Sequence, residues 1–181
     1  MTLCKLVPLA ALAPVLALAL GGCGGRSEKE QAAASYCPQP LTVQDASRLT
    51  RFKQGTGRDP RDVVFDASMV GAVTACKLSR NRLEVDVVMR IAVNAGPSVG
   101  AGVTRVPFFV RVLDAGGNVV QGMDELADYK LSTASPRGMT DETVAVTLPF
   151  REIREVGAYR IAVGLKPSQQ ELDFNRRADS R

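Results

Sequence analysis

The feature that most constrains the fold is a strict alternation of apolar and polar positions between residues 83 and 94. Every second residue is a large apolar one, namely Leu83, Val85, Val87, Met89, Ile91 and Val93. A period of two places successive side chains on opposite faces of a strand. The segment therefore predicts a half-buried strand of an antiparallel sheet, with one face in a core and the other in water.

Other segments show the same period, separated by turn-forming residues. The predicted strands besides 83–94 are Leu41–Val43, Val63–Cys76, Val106–Val112, a strand restarting at Val119, Val144–Phe150 and Tyr159–Leu165. Gly71 predicts a bulge or bend within the second of these, and Pro107 predicts an edge position or a bulge. About seven short strands predict an all-β fold, namely an antiparallel, immunoglobulin-like two-sheet sandwich.

Two segments favour helical structure. In 42–52, Thr42 and Asp45 have capping-box spacing and apolar residues recur every three positions, which predicts a turn of helix. Near the carboxyl end, Ser168 and Glu171 have capping-box spacing, which predicts a short C-terminal helix with Leu172 and Phe174 against the domain.

The amino-terminal segment has the order of a secretion signal. Lys5 precedes the apolar run Leu6–Leu20, and two glycines then lead to Cys23. The alternative is a membrane-spanning helix, but crossing a bilayer takes about 20 apolar residues. This run is shorter and contains Pro8 and Pro14, so a cleaved signal is favoured.

The residues Leu20-Gly21-Gly22-Cys23 resemble the bacterial lipobox. The resemblance implies that the Cys23 thiol is alkylated with diacylglycerol and that the bond before it is cut. Several acyl chains would hold the protein stably, whereas one gives a binding constant of only about 10⁴ M⁻¹. The protein is expected to face the periplasm from a bacterial membrane, and the non-acidic Gly24 favours the outer membrane over the inner by resemblance to enterobacterial sorting rules.

The chain is thus expected to comprise a signal peptide (1–22), a lipidated flexible tether (23–35) and a sandwich domain with a short C-terminal tail (36–181). The tether is polar and small in composition, and a coil of its length would hold the domain about 20 Å from the lipid surface. The whole organisation resembles small uncharacterised lipoproteins of proteobacterial envelopes, with a Cys-Pro opening at Cys37 and a second cysteine ending a long strand. That family implies a location and an immunoglobulin-like fold, and brings no established activity.

Two cysteines remain after the signal is removed and Cys23 is lipidated. A pair such as Cys37 and Cys76 in an oxidising compartment predicts a disulfide, and the alternative is two separate buried thiols. A zinc site is excluded by the spacing and by the absence of histidine.

The sequence offers little for catalysis. Without histidine there is no imidazole base for a serine or cysteine nucleophile. A Ser–Lys dyad is formally possible, but none of Lys53, Lys77, Lys130 and Lys166 has Ser-x-x-Lys spacing. A paired-carboxylate hydrolase is also possible, although the chain lacks the tryptophan that such clefts usually contain. We expect no enzyme, no catalytic residue and no cofactor.

Two motifs suggest ligands only weakly. Asp124, Glu125 and Asp128 could bind a hard cation such as calcium, but they lack the Asp-x-Asp-x-Asp-Gly order, so a loop without metal is favoured. The glycines of 96–102 could suggest a phosphate cradle. Without a following Lys and Ser/Thr, a connection between strands is favoured.

Function follows mainly from location. The chain has a net charge of +4, and removing 1–22 takes away only Lys5 and leaves +3, which indicates no nucleic-acid partner. We expect a non-catalytic binding or structural module of the cell envelope that meets another envelope protein through a sheet edge or its loops. The alternative is a carrier of a small apolar or lipid ligand between the two sheets. The basic tail at Arg176, Arg177 and Arg181 could also attract anionic lipid.

Overall fold

The structure, a computed structural model, describes residues 28–55 and 59–179, so Cys23 and the signal segment lie outside the described part. Two α-helices and eight strands make up this part. In chain order they are α1 (Glu28–Tyr36), β1 (Pro40–Thr42), β2 (Arg48–Phe52), β3 (Val63–Leu78), β4 (Arg82–Ala95), β5 (Thr104–Leu113), β6 (Val119–Tyr129), β7 (Arg137–Pro149), β8 (Arg160–Leu165) and α2 (Gln169–Asp179). Short 3₁₀ turns occupy Gln44–Ala46, Pro60–Asp62 and Ile153–Ala158.

The strands form two four-stranded sheets. The first sheet has the order β1-β8-β5-β6 and the second has the order β2-β3-β4-β7. All neighbouring strands are antiparallel except β1 and β8, which are parallel. The predicted all-β two-sheet sandwich with a short C-terminal helix is therefore confirmed.

The core lies between the sheets. The six alternating apolar residues of β4 are all 1% exposed or less, as the period of two predicts. Opposite them, the first sheet contributes Val106, Phe108, Val110 and Val112 from β5 and Ile161, Val163 and Leu165 from β8, all buried. Burying such side chains is the main stabilising contribution in a domain of this size.

Strand β3 contains the predicted bulge. Its register with β4 shifts between Met69 and Gly71, so Val70 is the extra residue. Before the bulge Phe65 points into the core, and after it Val73 is 61% exposed. Residues of one parity along β3 therefore do not share one face, because one inserted residue exchanges the two faces.

The segment 42–52 is mostly a strand rather than a helix. Only Gln44–Ala46 forms a helical turn, and Arg48–Phe52 pairs with β3 as β2. The spacing of three that suggested a helix is also compatible with Ala46 and Leu49 both being buried, as they are. Pairing with a long neighbouring strand outweighs a weak local periodicity.

The position of Pro107 also differs from the prediction. β5 has a partner strand on each side, so it is not an edge strand. The last β5–β8 pair is Phe108 with Leu165, and Pro107 lies just beyond it. Proline has no backbone N–H, and Pro107 lies at the end of the β5–β8 ladder. Its position there interrupts few of the hydrogen bonds between these strands.

The amino-terminal part of the domain begins earlier than expected. The prediction of a flexible tether is wrong for residues 28–35, because Glu28–Tyr36 is the helix α1, which contacts β3 and the turn Ile153–Ala158. Ala33 is 2% exposed at this contact. Three consecutive alanines favour a helix and present a small side chain that fits closely against the sandwich.

The predicted disulfide is present. Cys37, directly after α1, is bonded to Cys76 near the end of β3, with 5.7 Å between their Cα atoms. The Thr74 hydroxyl donates a hydrogen bond to the Pro38 carbonyl at 2.8 Å beside it. These bonds fix the start of the domain to the second sheet.

The helix α2 packs on β2 and has the predicted capping box. The Ser168 N–H donates to Glu171 Oε2 at 2.7 Å, and the Glu171 N–H donates to Ser168 Oγ at 3.4 Å. The ring of Phe174 meets that of Phe52 edge-on at 5.1 Å between centroids. This contact is the one that the sequence predicted for Phe174.

Candidate functional site

Strand β6 is the most exposed regular element of the described chain. It ends the first sheet, with β5 as its partner on one side and no strand of the described chain on the other. Its first eight residues are exposed or half-buried, and Val119, Val120 and Leu126 are 54–57% exposed. Backbone N–H and C=O groups on the outer side of an edge strand are open to pairing with another chain. We call Val119–Leu126 the β6 edge.

A tight hairpin holds the β6 edge in place. The Asp114 N–H donates to the Asn118 carbonyl, and the Asp114 carboxylate accepts the Asn118 N–H, both at 2.9 Å. These contacts lower the pKa of Asp114, because the hydrogen bonds from Asn118 stabilise its charged form. Gly117 has a φ of 80°, which favours glycine at this position. This turn at 114–118 leads β5 directly into β6.

A charged network crosses the outer face of the β6 edge. The Asp124 carboxylate accepts hydrogen bonds from Lys166 Nζ at 2.6 Å and from Arg111 at 2.5 Å. These two cations, Lys166 first, lower the pKa of Asp124 below its usual value. The Arg111 side chain also lies over Gly122, where a Cβ atom would come within 3.2 Å of it. The network ties β6 to β5 and to the residue after β8.

The three carboxylates considered for calcium lie on this strand rather than in a loop. Asp124 uses both oxygens in the network above, and Asp128 lies 3.5 Å from Arg105. Glu125 stands at the other parity of the strand, so its side chain projects to the other face. No group of three potential metal ligands occurs among residues 28–55 and 59–179.

Strand β7 is the edge of the second sheet beside β6. The Tyr129 hydroxyl of β6 donates to the Ile91 carbonyl of β4 at 3.0 Å and lies 2.7 Å from Thr140 Oγ1 of β7. Desolvation raises the pKa of Tyr129. This contact closes the sandwich on the side of β6 and β7, so the β6 edge projects beyond a closed core.

The glycine-rich segment after β4 is a packed connection, as the sequence favoured. A Cβ atom on Gly96 would clash with the Val63 carbonyl oxygen, and the Gly96 N–H donates to the Val64 carbonyl. Gly100 has open space around it. The glycine at 96 therefore permits close approach of the chain to β3 rather than contact with a phosphate.

A depression of about 280 Å³ between β2 and α2 contains the most deeply buried carboxylate of the described chain. Glu171 lies 2.7 Å from Arg51 Nε, and its side chain is 6% exposed. Its other oxygen accepts the Ser168 N–H. One carboxylate oxygen thus joins α2 to β2 and the other caps α2, and we assign Glu171 a structural role.

The space between the sheets is filled by side chains. Leu49, Met89, Ile91, Val110 and Val163 meet there and are fully buried. The depressions described on this chain lie on its outer surface, at β2–α2, at the β3 bulge, along the outer face of the second sheet and beside Asn81 and Phe150 after β7. The described part of the chain gives no support to a carrier of ligands between the sheets.

The structure tests some of the predicted site residues and does not describe others. Cys37 and Cys76 are brought together as a disulfide. Cys23, the predicted lipidation site, lies outside the described residues. Within 28–55 and 59–179 no helix is both long and apolar enough to span a membrane. Sequence reasoning missed the β6 edge, although the adjacent Val119 and Val120, which break the period of two, were a signal for it.

Comparisons with known proteins give no relative: no family model, no curated protein and no solved structure matches this chain.

Proposed function

We propose that the protein is a lipoprotein of the bacterial envelope, anchored to a membrane by acylated Cys23, that acts as a non-catalytic binding or structural module. The lipobox-like residues 20–23 and the apolar run before them support the anchor. A disulfide between Cys37 and Cys76 suits the oxidising periplasm. The proposed location is the periplasmic face, with the outer membrane favoured.

The observation that carries the binding role is the β6 edge. An extended segment of a partner protein can add to an exposed edge strand through main-chain hydrogen bonds, and side-chain contacts then give specificity. The exposed side chains of Val119, Val120 and Leu126 offer apolar contacts along this edge. We propose that an extended segment of an envelope protein pairs with β6.

The acidic side chains of β6 affect which charge a partner segment can carry. Asp124 and Asp128 are already paired with basic residues of the same sheet, whereas Glu125 forms no ion pair in the described chain. Acidic residues on an edge also disfavour pairing between identical copies. A neutral or basic partner segment would therefore fit better than an acidic one.

Photo-crosslinking in intact cells tests the binding role. A photoreactive amino acid is placed at Val120 or Leu126 on the β6 edge, and at Val73 as the matched control. Val73 is as exposed as the edge residues but lies on the outer face of the second sheet. We expect discrete protein adducts from the two edge positions and none from Val73. Adducts only to lipid, or equal adducts from all three positions, would count against the edge.

Mass spectrometry of the mature amino terminus tests the anchor separately. We expect Cys23 as the first residue, carrying diacylglycerol, and no free thiol on Cys37 or Cys76. An exported protein with unmodified Cys23 would refute the anchor and leave the edge to be judged by crosslinking alone.

A further inference from the structure

The helix α1 sets how far the folded domain can stand from its anchor. α1 begins at Glu28, contacts β3 and the turn Ile153–Ala158, and is followed directly by the disulfide-bonded Cys37. Five peptide steps separate Cys23 from Glu28, and extended chain covers about 3.6 Å per step, so they span at most about 18 Å. The domain is therefore confined close to the surface that holds Cys23.

The turn Ile153–Ala158, which α1 contacts, lies at one end of the sandwich. The β3–β4 turn and the residues after β7 lie side by side there, because the Phe150 N–H donates to the Asn81 carbonyl at 3.0 Å. The Tyr159 hydroxyl donates to the Pro149 carbonyl at 3.2 Å across the same end. We call residues 78–82 and 149–160 the α1 end. β8 starts at this end, and α2 follows its far end.

The α1 end has exposed cationic side chains that form no ion pair within the described chain. Arg80, Arg151 and Arg160 are exposed and form no ion pair with any charged side chain of the described chain. Beside them the rings of Phe150 and Tyr159 are only partly buried. Tyrosine is enriched at membrane–water interfaces, and arginine near an anionic membrane surface is attracted to it.

The acidic residues of the same end are engaged. Glu84 pairs with Arg82 at 3.1 Å, and this contact lowers the pKa of Glu84. Glu152 pairs with Arg154 at 2.6 Å, and Glu155 accepts the backbone N–H of Arg151 at 2.9 Å. Glu84, which lies next to this end, and Glu152 are thus paired with other arginines, and Glu155 has a backbone partner. None of the three forms an ion pair with Arg80, Arg151 or Arg160 in the described chain, so these arginines are available to an external anion.

We propose that the α1 end faces the membrane and that Arg80, Arg151 and Arg160 contact the anionic headgroups of its phospholipids, an inference that rests on the proposed anchor at Cys23. The orientation has a consequence for the β6 edge. β5 reaches this end at Leu113, which pairs with Arg160, and β6 leads away from it. The β6 edge would therefore rise from the membrane with its side open to a partner.

Hydrogen exchange on the lipidated protein tests the orientation. The protein is purified from membranes and placed in nanodiscs of phosphatidylcholine, with or without phosphatidylglycerol. We expect exchange in 78–82 and 149–160 to slow by at least about fivefold when phosphatidylglycerol is present, the factor that one arginine near an anionic surface supplies. High salt should reverse the slowing. Exchange in α2 should not change.

Charge reversal gives the matched comparison. Arg80→Glu with Arg151→Glu should abolish the slowing, whereas Lys130→Glu with Arg137→Glu should not. Lys130 directly follows β6 and Arg137 begins β7, so both are exposed cations at the opposite end. A lipidated wild-type protein with equal exchange in both nanodiscs, or with slowing at α2 instead, would overturn the orientation alone. Absence of lipid on Cys23 would overturn the anchor and the orientation together.

Discussion

Tyr129 on β6 donates its hydroxyl hydrogen bond to the backbone carbonyl of Ile91 on β4, at 3.0 Å, and thereby joins the two sheets. The Thr140 hydroxyl oxygen lies 2.7 Å from the Tyr129 hydroxyl oxygen. The chain also makes room for the ring, since a Cβ atom on Gly138 would come within 2.7 Å of it. A buried polar group that crosses between sheets in this way fixes their relative position, because leaving it unpaired would cost free energy.

Removing this hydroxyl should weaken the sandwich. We expect Tyr129→Phe to lower the free energy of unfolding by about 1 kcal/mol, the usual net contribution of one hydrogen bond. Tyr159→Phe, which loses an exposed hydroxyl bonded to Pro149, should have a smaller effect and serves as the control. Urea unfolding monitored by circular dichroism measures both, and equal losses would contradict the assignment.

Alkaline pH should lower the stability of the fold through the same residue, Tyr129. Burial raises the pKa of Tyr129 above its usual value of 10.0, so the folded state keeps this proton where the unfolded chain releases it. The contribution of the protonated Tyr129 hydroxyl to the free energy of unfolding is complete below pH 10. It is lost as the pH rises through the pKa of Tyr129 in the folded state. Wild type should therefore lose stability relative to Tyr129→Phe above pH 10. A constant difference between the two proteins from pH 8 to 11 would show that Tyr129 does not titrate this way.

Substitutions in the glycine-rich segment 96–102 test whether its glycines are needed for close packing of the chain. Gly96→Ala places a Cβ atom against the Val63 carbonyl, which we expect to cost about 1–3 kcal/mol of unfolding free energy. Gly100→Ala has open space and should be nearly neutral. Thermal unfolding of the two variants measures the difference. Similar melting temperatures for both would mean that the chain near Gly96 relaxes without cost.

The disulfide should be a main contributor to stability. Replacing both cysteines, as Cys37→Ala with Cys76→Ala, avoids a stray thiol and should lower the unfolding free energy by about 4 kcal/mol, the chain-entropy value for a loop of this length. The separation of the two cysteines is 39 residues. Urea unfolding with unchanged midpoint would show that α1 and the other contacts fix this segment without the bond.

The sequence predicted those parts of the fold that depend on local alternation. β4 alternates without interruption, and its buried face was identified residue by residue. In β3 the bulge at Val70 exchanges the faces, and only pairing with β4 determines where the exchange occurs. β2 was missed for the same reason, because its strand conformation depends on hydrogen bonds to β3 and not on a pattern within its own five residues.

The site was less predictable than the fold. The disulfide followed from two cysteines and an oxidising compartment, which is chemistry that a sequence contains. The order of strands in a sheet is not visible in local patterns, so Val119–Leu126 could not be identified as an edge, and Asp124 was assigned to a loop. α1 was missed because its short alanine run has only one buried side chain, Ala33, which resembles the composition of a linker.

The docking of α1 can be tested with two neighbouring alanines. Ala33 is buried against the sandwich, whereas Ala34 is exposed on the same helix. Ala33→Glu would bury an unpaired carboxylate, which costs several kcal/mol, so we expect α1 to separate from the sandwich instead. Hydrogen exchange in Glu28–Tyr36 should then become as fast as in an unstructured peptide, while the strands stay protected.

The same substitution at Ala34 changes the charge and helix propensity equally but leaves the contact intact. We therefore expect Ala34→Glu to keep wild-type exchange in α1. Rapid exchange in wild type, or in both variants alike, would show that α1 is not held by Ala33. The distance between the anchor and the sandwich would then no longer be limited by the five peptide steps from Cys23 to Glu28, and the reason for placing the α1 end at the membrane would be lost.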